Sequence, residues 1–105
     1  MTAGAVIVMV RLLANLYGVD PALLDCIVAR ESDYAIGAQN GIHEGLCQFK
    51  PTTRDWLAGK AAADPAWAHG GIAQGPVYDV ALMAYSIKRG YGSHWATYAG
   101  CGGEG

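Results

Sequence analysis

The sequence predicts a mainly α-helical single domain, and three observations carry that expectation. Apolar runs are bounded by helix punctuation at Gly18, Asp20-Pro21, Gly75-Pro76 and Gly90. The segment from Val77 to Arg89 is apolar nearly all round, as a helix buried on every side must be. Strand signals are scarce, with Asn40-Gly41 suited to the tip of a small β-hairpin. The expected architecture is about five or six helices with little or no sheet.

Taken in order, residues 1–16 are the first helix; its apolar character runs over 4–17 and Gly18 ends it as a left-handed cap. Asp20 is an N-cap and Pro21 the first residue of a second helix running to about Ser32. Residues 33–44 are turn-rich, followed by Gly45. Thr52 or Thr53 caps a short helix through Trp56 and Leu57. Residues 59–75 read mostly as an irregular loop, with Asp64-Pro65 opening a turn of helix around Trp67. Gly75-Pro76 starts the buried helix; Lys88 and Arg89 suit its negative end, and Gly90 stops it. Ser93 caps a last short helix carrying His94, Trp95 and Tyr98. Residues 100–105 form a flexible Gly-rich tail.

The chain has 105 residues, enough for one domain with one modest core. Hydrophobic residues make up 52% and charged residues 15%, a balance that argues against disorder. Seven Lys and Arg against nine Asp and Glu give a net charge of −2. No basic stripe is visible, so nucleic acid is not an expected partner and a helical DNA-binding domain is disfavoured. The apolar run from Ala3 to Val10 is too short to span a bilayer. It lacks a basic flank and a small-residue cleavage site, so it is a poor signal peptide and membrane insertion is not expected. Three cysteines leave two readings open. Either Cys26 and Cys101 are bridged, worth about 4 kcal/mol on the loop-entropy model, or all three thiols are reduced and two are simply core.

Glu31 is the residue whose context points to chemistry. Leu24, Ile27 and Val28 precede it by seven, four and three positions, so all four share one helix face. A carboxyl on an apolar stripe is either paired or held protonated. Its place in the last turn, at the negative end of the helix dipole, disfavours the charge again. A carboxylic acid kept protonated near neutral pH can act as a proton donor. The bland reading is a surface glutamate paired with Arg30 or a lysine.

Thirteen residues after Ser32 comes Gly45-Leu46-Cys47-Gln48-Phe49-Lys50-Pro51-Thr52-Thr53, and Ala84-Tyr85-Ser86 lies on the later buried helix. With Glu31-Ser32, these three pieces resemble the soluble lytic transglycosylase family of the lysozyme-like superfamily, over roughly Tyr17 to Tyr98. Cys47 stands where that family usually has Met, and Ser86 where it usually has Asn. The resemblance implies a small lysozyme-like catalytic domain that cuts the MurNAc-GlcNAc β-1,4 bond of peptidoglycan. Glu31 would be its single catalytic acid, with Gln48, Tyr85, Asn40 and Ser32 contacting substrate and the Tyr85 hydroxyl reaching Glu31. The substrate's own 6-hydroxyl would be the nucleophile, giving 1,6-anhydro products without a cofactor. The partner implied is the glycan strand, met by a monomer outside the cytoplasm. A phage virion or lysis protein, or export as part of a longer chain, would fit.

Other chemistries are weaker. His43-Glu44 would need a second His at position 47 to form a zinc helix, and Cys47 is there; His69 and His94 are isolated, so no metal site is expected. A lysozyme-type hydrolase needs a second carboxylate, for which Glu44 is the best candidate ahead of Asp33 and Asp55. A non-catalytic cell-wall-binding or phage tail module is the alternative from another class. Trp56, Trp67, Trp95, Tyr34 and Tyr98 are either sugar platforms or core.

Overall fold

The computed structural model describes every residue except 72, 74, 104 and 105. The chain is mainly α, as its punctuation predicts: α1 spans Ala3–Tyr17, α2 Pro21–Ser32, α3 Pro51–Ala62, α4 Pro76–Lys88 and α5 Thr97–Gly100. A single turn of 3₁₀ helix, Gly92–His94, precedes α5. The sheet is one hairpin, β1 Gln39–Asn40 against β2 His43–Glu44. Among the described residues, no helix is long and apolar enough to cross a membrane.

The ends of the first two helices follow from local chemistry. The Thr2 hydroxyl accepts from the Ala5 N–H at 3.1 Å, and Gly18 closes α1 with φ 73°. The Asp20 carboxylate accepts from the Ala22 N–H at 3.0 Å, with Pro21 at the first helical position. α1 turns Val6, Val10, Leu13, Ala14 and Tyr17 inward, against α2 and α4. α4 is the central element: Tyr78 and the run Val80–Ile87 are all buried, so it touches α1 on one side and α3 on another.

Three expectations change, the first at the C-terminal end: Ser93 lies inside the 3₁₀ turn Gly92–His94 and caps no helix, and α5 begins at Thr97 behind Ala96, leaving His94 and Trp95 outside it. The third helix begins at Pro51, one or two residues before the expected threonine caps, and runs five residues beyond Leu57 to Ala62. Pro51 presets the first turn without a side-chain cap, and Ala58, Ala61 and Ala62 carry the helix past Gly59. Around Trp67 there is a turn rather than a helix: the Asp64 carboxylate accepts from the Ala66 N–H at 2.9 Å, an Asx turn that closes locally.

Cys26 and Cys101 are bridged, with Cα atoms 5.8 Å apart and 75 residues apart in sequence. The bridge fixes α5 to α2. It also ties down the start of the Gly-rich tail, where the Gly103 N–H reaches the Tyr98 carbonyl at 2.9 Å. Cys47 remains free and buried. Positions 104 and 105 of the tail, and 72 and 74 of the loop, lie outside the described residues.

Candidate functional site

Glu31 ends α2 half-buried, one position before Ser32. The chain then passes through two successive left-handed residues, Asp33 at φ 50° and Tyr34 at φ 61°. Neither is glycine, and such conformations cost about 1 kcal/mol or more each. They reverse the chain sharply after Glu31, with the Asp33 N–H still bonded to Ala29 and the Tyr34 hydroxyl donating to Asp25 at 2.9 Å. Gln48, at φ 50°, is the third non-glycine residue with positive φ among those described. The local backbone cost is therefore concentrated in the two segments that carry the motif.

The returning segment is a hairpin with a two-residue loop, Gly41-Ile42. Gly41 has φ 62° and Ile42 is not in the left-handed region, so the turn is not type I′ and the glycine takes the position that needs it. Below the hairpin, Gly45 turns with φ 75°, and its N–H bonds the Ala38 carbonyl at 2.8 Å. A Cβ at Gly45 would stand 3.5 Å from the Asp79 carboxylate. Glu44 bridges to Phe49, and the Trp95 indole N–H donates to the Cys47 carbonyl at 2.8 Å. These bonds dock the hairpin onto the core.

Successive strand residues face opposite ways, and the electrostatics follow that alternation. Burial holds the Glu31 carboxyl above its ordinary value, and the nearby charge of His43 opposes the shift. Burial likewise raises Asp79, opposed by Arg54 and reinforced by Glu44. His43 thus acts on one acid and Glu44 on another. Glu44, the candidate second carboxylate of the hydrolase reading, adds its charge to the surroundings of Asp79.

Asp79 belongs to the larger cleft beside the hairpin, about 420 Å³, which Glu44, Asp55 and Arg54 also line and Glu31 does not. Arg54 pairs with Asp79 at 2.9 Å. Sequence reasoning missed this pair; the one legible signal was Asp79 on the narrow polar stripe of an otherwise apolar helix. A smaller cleft of about 90 Å³ takes in His43, Gln48, Lys50, Thr53 and His94.

The other residues expected to touch substrate are spread apart. The Ser32 hydroxyl is buried and donates to the Val28 carbonyl at 3.0 Å, the back-bond of a serine inside a helix. The Gln48 amide N–H₂ donates to Gly45 at 2.8 Å and Ala38 at 3.2 Å, so it staples the turn while lining the smaller cleft. Asn40 is exposed at the hairpin, and its carbonyl meets His43 Nδ1 at 3.3 Å.

Tyr85 departs furthest from expectation. Its hydroxyl donates to Asp64 at 2.8 Å, and Glu31 is not among its partners. The ring packs against Tyr17 and Trp67, because its position on α4 faces α1 and the 64–70 loop. Burial and the Asp64 carboxylate push its phenol up to about 12. Among the described residues, no group of three metal-ligating side chains comes together.

No family model, no curated protein and no solved structure matches the chain. The likeness to lytic transglycosylases therefore rests on the three motifs alone.

Proposed function

We propose that the protein is a peptidoglycan-cleaving lytic transglycosylase with Glu31 as its acid. One observation carries this reading. Glu31 is a half-buried carboxyl raised by desolvation, and among the described residues no lysine or arginine pairs with it. An unpaired acid at a helix end, its carboxyl raised by burial, is suited to donate to a glycosidic oxygen. The resulting carboxylate would then take the proton of the muramic acid 6-hydroxyl as that oxygen closes on the anomeric carbon. The substrate's N-acetyl oxygen would steady the positive charge in between. Water is not a reactant and no cofactor is required.

A second reading has its own support. Glu44 and Asp79 line one cleft, and Asp79 is raised. Two carboxyls sharing one cleft are what a hydrolase needs, although the Arg54 guanidinium at 2.9 Å favours the Asp79 carboxylate. Digestion of purified peptidoglycan with mass analysis decides between the two. A transglycosylase gives anhydro products, each lighter by one water, that vanish in Glu31→Gln and persist in Asp79→Asn. Reducing-end products that vanish in Asp79→Asn and persist in Glu31→Gln would establish the hydrolase. Absence of any cleavage by the wild-type chain would overturn both readings.

A further inference from the structure

Trp56 is unusual for a tryptophan in so small a domain. It sits on α3 with 46% of its surface in solvent, and its ring packs against two other aromatic rings. Tyr91 meets it at 5.2 Å between centroids and 74° between planes, and His94 at 5.7 Å. The Lys60 ammonium stands 5.3 Å from the ring centre. Thr53, Trp56 and Lys60 follow one another at three- and four-residue spacing, so they form one stripe about 10 Å long on the helix surface.

This stripe runs into two adjoining clefts. Thr52, Thr53, Trp56 and His94 line a shallow cleft of about 170 Å³. Thr53 and His94 also line the small cleft that contains His43 and Gln48. The two clefts therefore share a wall, and His43, whose charge acts on Glu31, lines the second. No Asp or Glu lines either cleft, whereas Lys50 lines one and Lys60 overhangs the other's tryptophan. The acids are gathered instead in the cleft of Glu44, Asp55 and Asp79. In a chain of net charge −2 this track is locally basic.

We infer that this track is a binding path for a carboxylate-bearing glycan strand, with Trp56 as the platform for one of its sugar rings. The inference rests on the peptidoglycan reading of Glu31 and names the part of the surface that holds the strand away from the cut. A pyranose presents a face of C–H bonds, slightly positive, which matches the negative face of an indole. A ring fixed by Tyr91 and His94 loses little freedom when a sugar settles on it. The lysines meet the carboxylates of stem peptides, and the threonine hydroxyls meet sugar hydroxyls. A neutral β-1,4 glycan without those carboxylates would lose the ionic part of the attraction.

The test uses the full chain carrying Glu31→Gln, so that ligand is bound and not consumed. Soluble peptidoglycan fragments with their stem peptides are titrated, with chitin oligosaccharides of equal length as the neutral comparison. Tryptophan fluorescence and sedimentation with intact cell walls report binding. Trp56→Ala is expected to weaken binding of the peptidoglycan fragments roughly tenfold. Lys60→Gln is expected to remove much of the preference over chitin and of the salt dependence. Lys60→Gln should melt as the parent does, and Trp56→Phe, which keeps a ring against Tyr91 and His94, accompanies Trp56→Ala as the variant that preserves the fold. Trp56→Ala binding as tightly as the parent, at an unchanged melting temperature, would overturn the proposal. Failure of the wild-type chain to cleave peptidoglycan, with Trp56-dependent binding intact, would overturn the assignment of Glu31 and leave the binding path standing.

Discussion

Tyr85 donates its phenolic hydrogen to Asp64 across 2.8 Å, and that bond ties the central helix to the loop after α3. Arg89 holds the same carboxylate oxygen at 2.8 Å, and the Asp64 carboxyl lies below its ordinary value, through the Ala66 N–H first and Tyr85 next. Tyr85→Phe is therefore expected to lower the melting temperature by a few degrees, as loss of one hydrogen bond does. A tenfold fall in turnover at an unchanged melting temperature would instead return Tyr85 to the reaction.

Glu31→Gln should show its effect on stability through pH. The carboxyl is raised in the folded chain, so folding is favoured most where the acid is protonated in both states. That contribution is lost as pH rises from the ordinary glutamate value through the raised one. The amide does not titrate, so the variant should gain on the wild type across that window and hold the gain above it. Melting curves at about pH 4 and pH 7 measure this. A variant that loses ground on the wild type as pH rises would show that Glu31 is stabilised as a carboxylate.

His43 supplies the positive charge that pulls the Glu31 carboxyl back toward its ordinary value. Removing it with His43→Gln lets the carboxyl rise further. The proton donor then survives to higher pH, so the alkaline limb of the cleavage profile should move upward. An unmoved or lowered limb, in a variant that melts normally, would detach His43 from the acid.

The Cys26–Cys101 bridge closes a long loop, 75 residues in sequence. Replacing both by serine should cost about 4 kcal/mol on the loop-entropy account, read as a large fall in denaturation midpoint. Cys47 is buried, and burial holds its thiol well above the ordinary range. It should resist alkylation in the folded chain and react only on unfolding. Labelling of Cys47 at the rate of a free thiol under native conditions would show that the turn opens.

The helices were legible where a residue type has one job. Gly18, Asp20-Pro21 and Gly75-Pro76 fix three helix ends through φ angles and caps that act locally. The nearly all-round apolar pattern marked α4 as the buried element, since its polar residues are few and confined to a narrow stripe and its ends. The raised acid was legible from helix spacing alone. Polar pairings were not: Arg54 meets Asp79, and Asp64 meets Tyr85, across separations of 25 and 21 residues that only packing decides. The left-handed turn at Asp33 and Tyr34 carries no glycine to announce it. Ser32 was within reach of sequence reasoning, because a helical serine finds the carbonyl four residues back.

The hairpin works as an electrical divider one residue thick. His43 and Glu44 are neighbours in sequence, yet one answers to Glu31 and the other to Asp79. A slip of β2 by a single position would exchange their faces. A carboxylate would then confront Glu31, and an imidazole would confront Asp79. The polarity of two acids thus hangs on the register of two paired residues, Gln39 with Glu44 and Asn40 with His43. A one-residue change in that pairing would exchange the two charges without altering a residue of any helix.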